Sequence, residues 1–534
     1  MALTRIKNVP DSTFYVTTPI YYVNDAPHIG HGYTTVMGDI ITRWHRQRGE
    51  NVWYTTGTDE HGEKVLRKAQ ANGVTPQEWV DKLVEEEWRP LLQTIDAAND
   101  DFTRTTDQRH LDGAQAFWVA LRDRGAVYEG EFTGWYSVGS EEFVGDDDVV
   151  DGEGDDEGFK VSKLDGSRVE LISEENYFFR LSDYQQKLLD FYEANPTFIQ
   201  PESARNEVIS FVSRGLRDLS ISRSTFDWGI QVPWDEKHIF YVWIEALLSY
   251  ATSVGYGNDR ERFDEIWPAD IHIVGKDIAR FHAVIWPAML MAAGERVPHQ
   301  VFAHGWLLVG GQKMSKSKAN GIRPDELVNT FGSDAYRYYF ARALTFGSDG
   351  SISWEDIHAR YHAELANGFG NLASRVAAMI GKYFDGTLPA AGDQTTAEKA
   401  VVDTVAQAVS DADAAIEAVA PQDALSAIWR IVDGLNLYIT EQAPWKVAKD
   451  DADSDRLATI LHTTAEGLRV LAVLLNPVMP KASAVLWDSL GAEAALGALA
   501  DQRIDAVAAW GQLPAGSTIT KPASLFPRIE AAAE

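Results

Sequence analysis

A chain of 534 residues, 45% apolar and holding 17 Trp, 19 Tyr and 22 Phe, is too long for one ordinary core and has material for roughly two to four domains. Its 48 basic against 79 acidic residues give a formal charge of -31, which excludes a general nucleic-acid coat and confines any polyanion to local basic clusters. Cysteine is absent, which excludes disulfides and thiolate metal sites; "MALTRIKNVPDSTF" has no signal-peptide core, and apolar stretches such as "LRVLAVLLNPVMP" are broken short of a membrane span, so the expected location is cytoplasmic.

The first legible element is "TFYVTTPIYYV", whose β-branched and aromatic residues predict a buried strand. The loop "NDAPHIGHG" leads into "YTTVMGDIITRWHRQRG", where Val36, Ile40, Ile41 and Trp44 fall at helical spacing and Gly49 follows. "NVWYTTGTD" reads as the next strand. Strand, helix, strand in this order is a βαβ unit, which builds a parallel sheet with its site at the strand C-termini. From about Gly125 the chain becomes β-rich and acidic. The run "EEFVGDDDVVDGEGDDEG" is expected to be a solvated loop and not a calcium loop, because Val150 stands where a third oxygen ligand is needed. Strand-helix alternation resumes with "HIFYVWIEALLSYATSV" and "ADIHIVGKDIARFHAVIWPAMLMAAG", so the middle region reads as an insertion between two halves of one sheet. Beyond about Arg360 come Ala-rich helices, with Leu425, Ile428, Trp429, Val432 and Leu435 in one apolar stripe and Pro421, Pro444, Pro477 and Pro480 as punctuation. The predicted fold class is α/β: a Rossmann-like parallel sheet split by a β-rich insertion, followed by a C-terminal α-helical bundle. The expected boundaries are 1–124 and 234–325 for the two halves of the sheet domain, 125–233 for the insertion, 326–365 for a linker and 366–534 for the bundle.

Two clusters stand out as chemistry. His28 and His31 flank Gly30 where the first loop becomes a helix; a helix N-terminus favours anions and imidazoles add donors, although such histidines also serve as caps. "GGQKMSKSKAN" sets Lys313, Lys316 and Lys318 within six residues, after Gly310 and Gly311, with no Asp or Glu between Glu295 and Asp325 to neutralise them. Alone it reads as a solvated loop or as a cationic arm for phosphate.

Together, "HIGH" and "KMSKS" resemble the paired signatures of class I aminoacyl-tRNA synthetases. "TTPIYYVNDAPHIGH", "GTDEHGEK", "YVWIEALLSY", "GKDIARFHAVIWPAML", "NLASR" and "EQAPWKVAK" are similar, in that order, to the methionyl-tRNA synthetase family over nearly the whole chain. The resemblance implies activation of L-methionine with ATP and Mg²⁺, as methionyl-adenylate, and its ligation to tRNA(Met), initiator tRNA included. It implies that His28, His31, Lys313 and Lys316 act on the phosphates, Gly30, Lys276 and Asp277 helping to bind ATP and adenylate, and that Gly310 and Gly311 hinge the lysine arm. Asp59 would hold the substrate ammonium, with Arg223 orienting that carboxylate. Ile20, Tyr22, Trp243, Ala246, Tyr250, Ile278 and His282 would enclose the side chain, suiting a thioether through apolar walls and weak donors. Asn371, Arg375 and Trp445 would read the anticodon, and 326–365 would contact the tRNA stem.

One departure concerns metal. Relatives often carry cysteine zinc knuckles in the insertion, whereas "GWYSVGSEEF" has Ser137 and Ser140 at knuckle-like spacing, so no structural zinc is expected and the insertion is expected to fold through its own small core. With no further oligomerising domain visible, a monomer is expected. The rival readings are a synthetase for leucine, valine or isoleucine, disfavoured by the small insertion, and a catalytically silent tRNA-binding paralogue, disfavoured by the intact signatures.

Overall fold

The computed structural model describes residues 13–139, 141–163, 166–309, 322–529 and the backbone of 312–313. β1 (Phe14–Tyr22) leads through α1 (Ile29–Gln47) to β2 (Val52–Asp59), then α2 (Glu63–Ala71) and β3 (Asp101–Arg104). β1 and β2 run parallel, Val16 beside Tyr54 and Tyr22 beside Asp59, with an irregularity between Thr17 and Ile20 where Pro19 has no N–H for the ladder. Almost every residue of α1 is buried, and its glycines permit the approach: a Cβ on Gly38 would sit 2.7 Å from Thr18, and one on Gly32 2.2 Å from the Tyr336 hydroxyl.

The insertion is built on β4 (Val127–Ser137) and β5 (Arg168–Phe179), antiparallel from Val127 opposite Phe179 to Ser137 opposite Val169. Its expected span of 125–233 needs correction. Within that span β6 (Ile199–Gln200) returns to the main sheet beside Val301 and Phe302, before Leu219–Ser220 pairs back onto β5. A two-residue strand has no periodicity to read, so only the tertiary pairing reveals it.

α3 (Val242–Thr252), β7 (Ile271–Gly275) and β8 (Val301–His304) complete the core, and the main sheet runs β3-β2-β1-β7-β8-β6 with every neighbour parallel. The chain leaves β1 in one direction through β2 and β3, and resumes from β7 in the other. The β1/β7 boundary is thus the switch point where open α/β sheets bind ligands at the strand C-termini.

The C-terminal region is helical: α4 (Ser333–Ala343), α5 (Asn371–Phe384), α6 (Thr396–Glu417), α7 (Pro421–Gln442), the short α8 (Pro444–Val447) and α9 (Ser454–Leu475). α6 starts on a Thr395–Glu398 capping box, and α7 and α8 start with proline, which needs no N–H there. The stripe Leu425, Ile428, Trp429, Val432 and Leu435 is buried as expected. The reading that no apolar stretch is long enough for a membrane does not hold for α9, which is long and apolar enough by length and composition. Its apolar window is wholly buried in protein, so apolar residues can stand on every face, while its buried charges pair with each other, Arg469 with Glu466 (2.8 Å). The far end of α1 docks on this bundle, Trp44 donating to Asp413 (2.8 Å) and Gln47 to the Val473 carbonyl (3.1 Å).

Candidate active site

A cavity of about 390 Å³ opens at the switch point. β1 contributes Ile20 and Tyr22, the loop into α1 His28, Gly30 and His31, and the end of β2 Asp59. α3 adds Trp243, Ala246 and Tyr250, and the segment after β7 adds Asp277, Ile278 and His282.

The two signature histidines cap their own helix. His28 Nδ1 accepts from the Gly30 N–H (3.1 Å), and the His28 N–H donates to His31 Nδ1 (3.0 Å), a capping box made of imidazoles. The rings stack with centroids 3.8 Å apart, and Trp88 meets His31 edge-on at 4.9 Å. With each Nδ1 engaged as acceptor, the proton of each neutral ring sits on Nε2, so both rings are donors at the mouth of a helix N-terminus.

Asp59 is buried, and one of its carboxylate oxygens has no hydrogen-bond partner among the described residues. Burial, and then Glu245, Glu141 and Glu60, hold its carboxyl well above the usual range. This arrangement calls for a cation. Arg223 does not supply it: its guanidinium bonds Glu174 (3.1 and 3.2 Å) and lies 4.0 Å above the Tyr136 ring, so the expected Arg223–Asp59 pairing is corrected. Arg223 sits in a short strand of a separate three-stranded sheet, and its side chain turns into the insertion. Lys276, expected to help bind the adenylate, lies beside cavity-lining Trp306. Its ammonium pairs with Asp349 (2.7 Å) and lies 4.1 Å above Trp306, outside the cavity wall that its neighbours Gly275 and Asp277 line, because successive residues of a 3₁₀ turn diverge.

At the apolar end, His282 Nδ1 donates to the Ile278 carbonyl (2.9 Å), leaving Nε2 to accept from the Tyr250 hydroxyl (2.8 Å). Burial lowers the His282 pKa to about 4, so the ring is neutral. The Tyr250 and His282 protons are therefore committed to protein, as is that of the Tyr22 hydroxyl, which bonds Glu141 (2.9 Å). Trp243 stacks on Phe281 at 4.4 Å.

Lys313 pairs through its backbone with Leu308, the neighbour of cavity-lining Leu307. Its side chain, Lys316, Lys318, Gly310, Gly311 and Ser140 lie outside the described residues.

A family model described as "tRNA synthetases class I (M)" matches residues 14–377, and one described as "Anticodon binding domain of methionyl tRNA ligase" matches 388–534. The methionine–tRNA ligase of Streptomyces coelicolor is 60% identical over 533 residues, 99% of each chain, and that of Bacillus subtilis 44% identical over 98% of this chain and 79% of its own. The chain belongs to the methionyl-tRNA synthetase family. The Mycobacterium tuberculosis methionyl-tRNA synthetase solved in complex with methionyl-adenylate superposes with a TM-score of 0.92 at 41% identity, covering 97% of this chain and 100% of that one; its apo form gives 0.85 at 38%.

In this methionyl-tRNA synthetase fold, Asn371 is exposed and Arg375, half-buried one turn later on α5, donates to Asn436 on α7 (3.2 Å). Trp445 is 42% exposed on α8, after Ala443 turns the chain through a left-handed φ of 45°. Asn436 lies six residues before the end of α7, about 9 Å along its axis, so Arg375 and Trp445 flank the same end of that helix. Residue-level reading missed His61, whose Nδ1 bonds the buried Glu245 (2.6 Å) behind Asp59, and Glu141, Lys64 and His304 in the cavity wall. Burial disfavours a charged His61, but Glu245 outweighs this and raises its pKa. The motif "GTDEHGEK" contained His61 and Lys64; nothing local marked Glu141.

Proposed function

We propose that this protein ligates L-methionine to tRNA(Met), initiator tRNA included, through methionyl-adenylate. The observation that carries this reading is one cavity joining an imidazole-capped helix N-terminus to a buried acid, Asp59, one of whose oxygens has no hydrogen-bond partner among the described residues. The methionine ammonium meets Asp59, which fixes the carboxylate towards the phosphate end. Its side chain enters between Ile20, Tyr22, Trp243, Ala246, Tyr250, Ile278 and His282, held by apolar contact and not by a donated proton. ATP enters as its Mg²⁺ complex, with Gly30 and Asp277 lining its end of the cavity. The methionine carboxylate oxygen attacks the α-phosphorus; the bond to the β-phosphate bridging oxygen breaks, and pyrophosphate leaves. Charge grows on that leaving group, and His28, His31, Lys313 and Lys316 stabilise it. A terminal ribose hydroxyl of the tRNA then attacks the activated carbonyl and expels AMP, while Asn371, Arg375 and Trp445 read anticodon bases.

The protein works as a cytoplasmic monomer without structural zinc. Support for the last point is that Ser137 bonds Ser167 (2.6 Å), where the knuckle-like spacing stands. ATP–pyrophosphate exchange with each amino acid tests the activity; methionine alone should support it, and exchange with leucine, valine or isoleucine instead would overturn the assignment. Lys316→Ala should cut the exchange rate far more than methionine affinity, measured by single-turnover adenylate formation and equilibrium binding. Elemental analysis after dialysis should find no stoichiometric zinc.

A further inference from the structure

Glu141 comes from the insertion, yet it lines the cavity. It is 3% exposed and sits at a left-handed φ of 57°, a conformation that favours glycine and that non-glycine residues keep only where surrounding structure enforces it. Four hydrogen bonds do so. Its Oε1 accepts from the Tyr22 hydroxyl (2.9 Å) and the Lys64 backbone N–H (2.6 Å), its Oε2 from the Tyr136 hydroxyl (2.6 Å), and its carbonyl from the Tyr241 hydroxyl (2.6 Å).

These partners belong to separate walls of the pocket. Tyr22 ends β1, Lys64 lies in the first turn of α2, and Tyr241 is the N-cap of α3, which carries Trp243, Ala246 and Tyr250. The junction has no slack: a Cβ on Gly62 would come 2.8 Å from the Tyr22 hydroxyl and 3.0 Å from Glu141 Oε1. Behind it, Tyr136 is held by the Arg223 guanidinium, itself paired with Glu174 of β5. A continuous chain of contacts therefore runs from the inserted sheet to Tyr22.

We propose that Glu141 is a positioning residue through which the insertion fixes Tyr22 and sets the affinity of the pocket for methionine. This rests on the methionine-activating reading of the cavity. It also gives Arg223 a role: it orients the Tyr136–Glu141 pair, not Asp59.

The test is ATP–pyrophosphate exchange with wild type, Glu141→Gln, Glu141→Ala, Tyr22→Phe and the Tyr22→Phe/Glu141→Ala double variant, with KM for methionine and for ATP measured separately and folding checked by circular dichroism. Losing a hydrogen bond to a buried charge should raise the methionine KM about tenfold or more in Glu141→Ala, with the ATP KM changed by less than about twofold. Glu141→Gln keeps an oxygen acceptor and should recover part of the loss. The double variant should be no worse than the poorer single one, because both remove the same bond. Parallel rises in both KM values, an unchanged methionine KM, or additive losses would overturn the proposal. If Glu141→Ala does not fold, Glu141→Gln and Tyr22→Phe decide it: a wild-type methionine KM in both would refute it. Wild type without methionine-dependent exchange would instead sink the functional reading beneath it.

Discussion

Asp59 at the end of β2 faces Glu60 beside it, Glu245 from α3 with its partner His61, and Glu141 from the insertion. Burial first, then those carboxylates, raise its pKa, so the folded protein holds this proton more tightly than the unfolded chain does. The sign follows: this site's contribution to stability is greatest below the unfolded value of 3.8 and is lost as pH rises through the raised folded value. A bound ammonium favours the carboxylate and reverses the preference. Methionine binding below the raised pKa should therefore release a proton, and affinity should weaken by up to about tenfold per pH unit as pH falls. Calorimetry in two buffers of different ionisation enthalpy checks this; Asp59→Asn should bind weakly and release none. Equal proton release by that variant would place the titration elsewhere. The motif marked Asp59, but that Arg223 turns to Glu174 instead was not legible, because the two meet only through the packing of separate strands.

At the scale of elements, α1 is a rod of 19 residues, about 28 Å long, with the histidine cap at one end and the bundle at the other. Its centre is pinned by Asp39, fully buried and bonded to Arg337 (2.5 Å), whose guanidinium also donates to Ile95, Pro477 and Val478 carbonyls. Arg337→Met would leave Asp39 charged and without its main partner, and should cost about 3–5 kcal/mol in denaturant unfolding. A loss below about 1 kcal/mol would show that Arg43, the other partner of Asp39, suffices. In the bundle, burial opposes ionisation of Glu398, but bonds from Arg456, Thr395 and Tyr438 outweigh it and lower its pKa from 4.5 to about 2. Its stabilising contribution is complete above about 4.5 and lost as pH falls to about 2. Glu398→Gln should flatten the acid-unfolding profile over that window, followed by circular dichroism. The capping box was readable as Thr395 and Glu398 three apart; Arg456 and Tyr438 were not, since they arrive from other helices.

Across the whole molecule, the proposed function gives adenylate chemistry to the cavity of the sheet and tRNA choice to α5 and α8 of the helical region. They should come apart by mutation. A base stacked on an aromatic is worth about 1–3 kcal/mol, so Trp445→Ala should lower kcat/KM for tRNA(Met) by about tenfold or more while leaving ATP–pyrophosphate exchange nearly intact. The exposure of Trp445 argues that the variant will fold, and circular dichroism verifies it. Equal depression of both reactions would make Trp445 a structural residue. With a net charge of -31, tRNA binding should rest on few phosphate contacts and weaken as salt rises.

Local sequence determined the elements whose signals are periodic or chemical. The alternating strands, the helix that follows His28, the proline-led helices and the apolar stripe of α7 each rest on neighbours within a few residues, and so did the two signatures and the order of motifs that carry the family. Tertiary structure alone decided what depends on contacts between distant segments. It brought β6 back into the main sheet, covered an apolar helix on every side, sent Arg223 to Glu174 and Lys276 to Asp349, and delivered Glu141 into a pocket made by other elements. The physical reason is range: backbone preference and hydrophobic period act over a turn or a strand, whereas the partner of a buried charge is fixed by where the fold places segments far apart in the sequence.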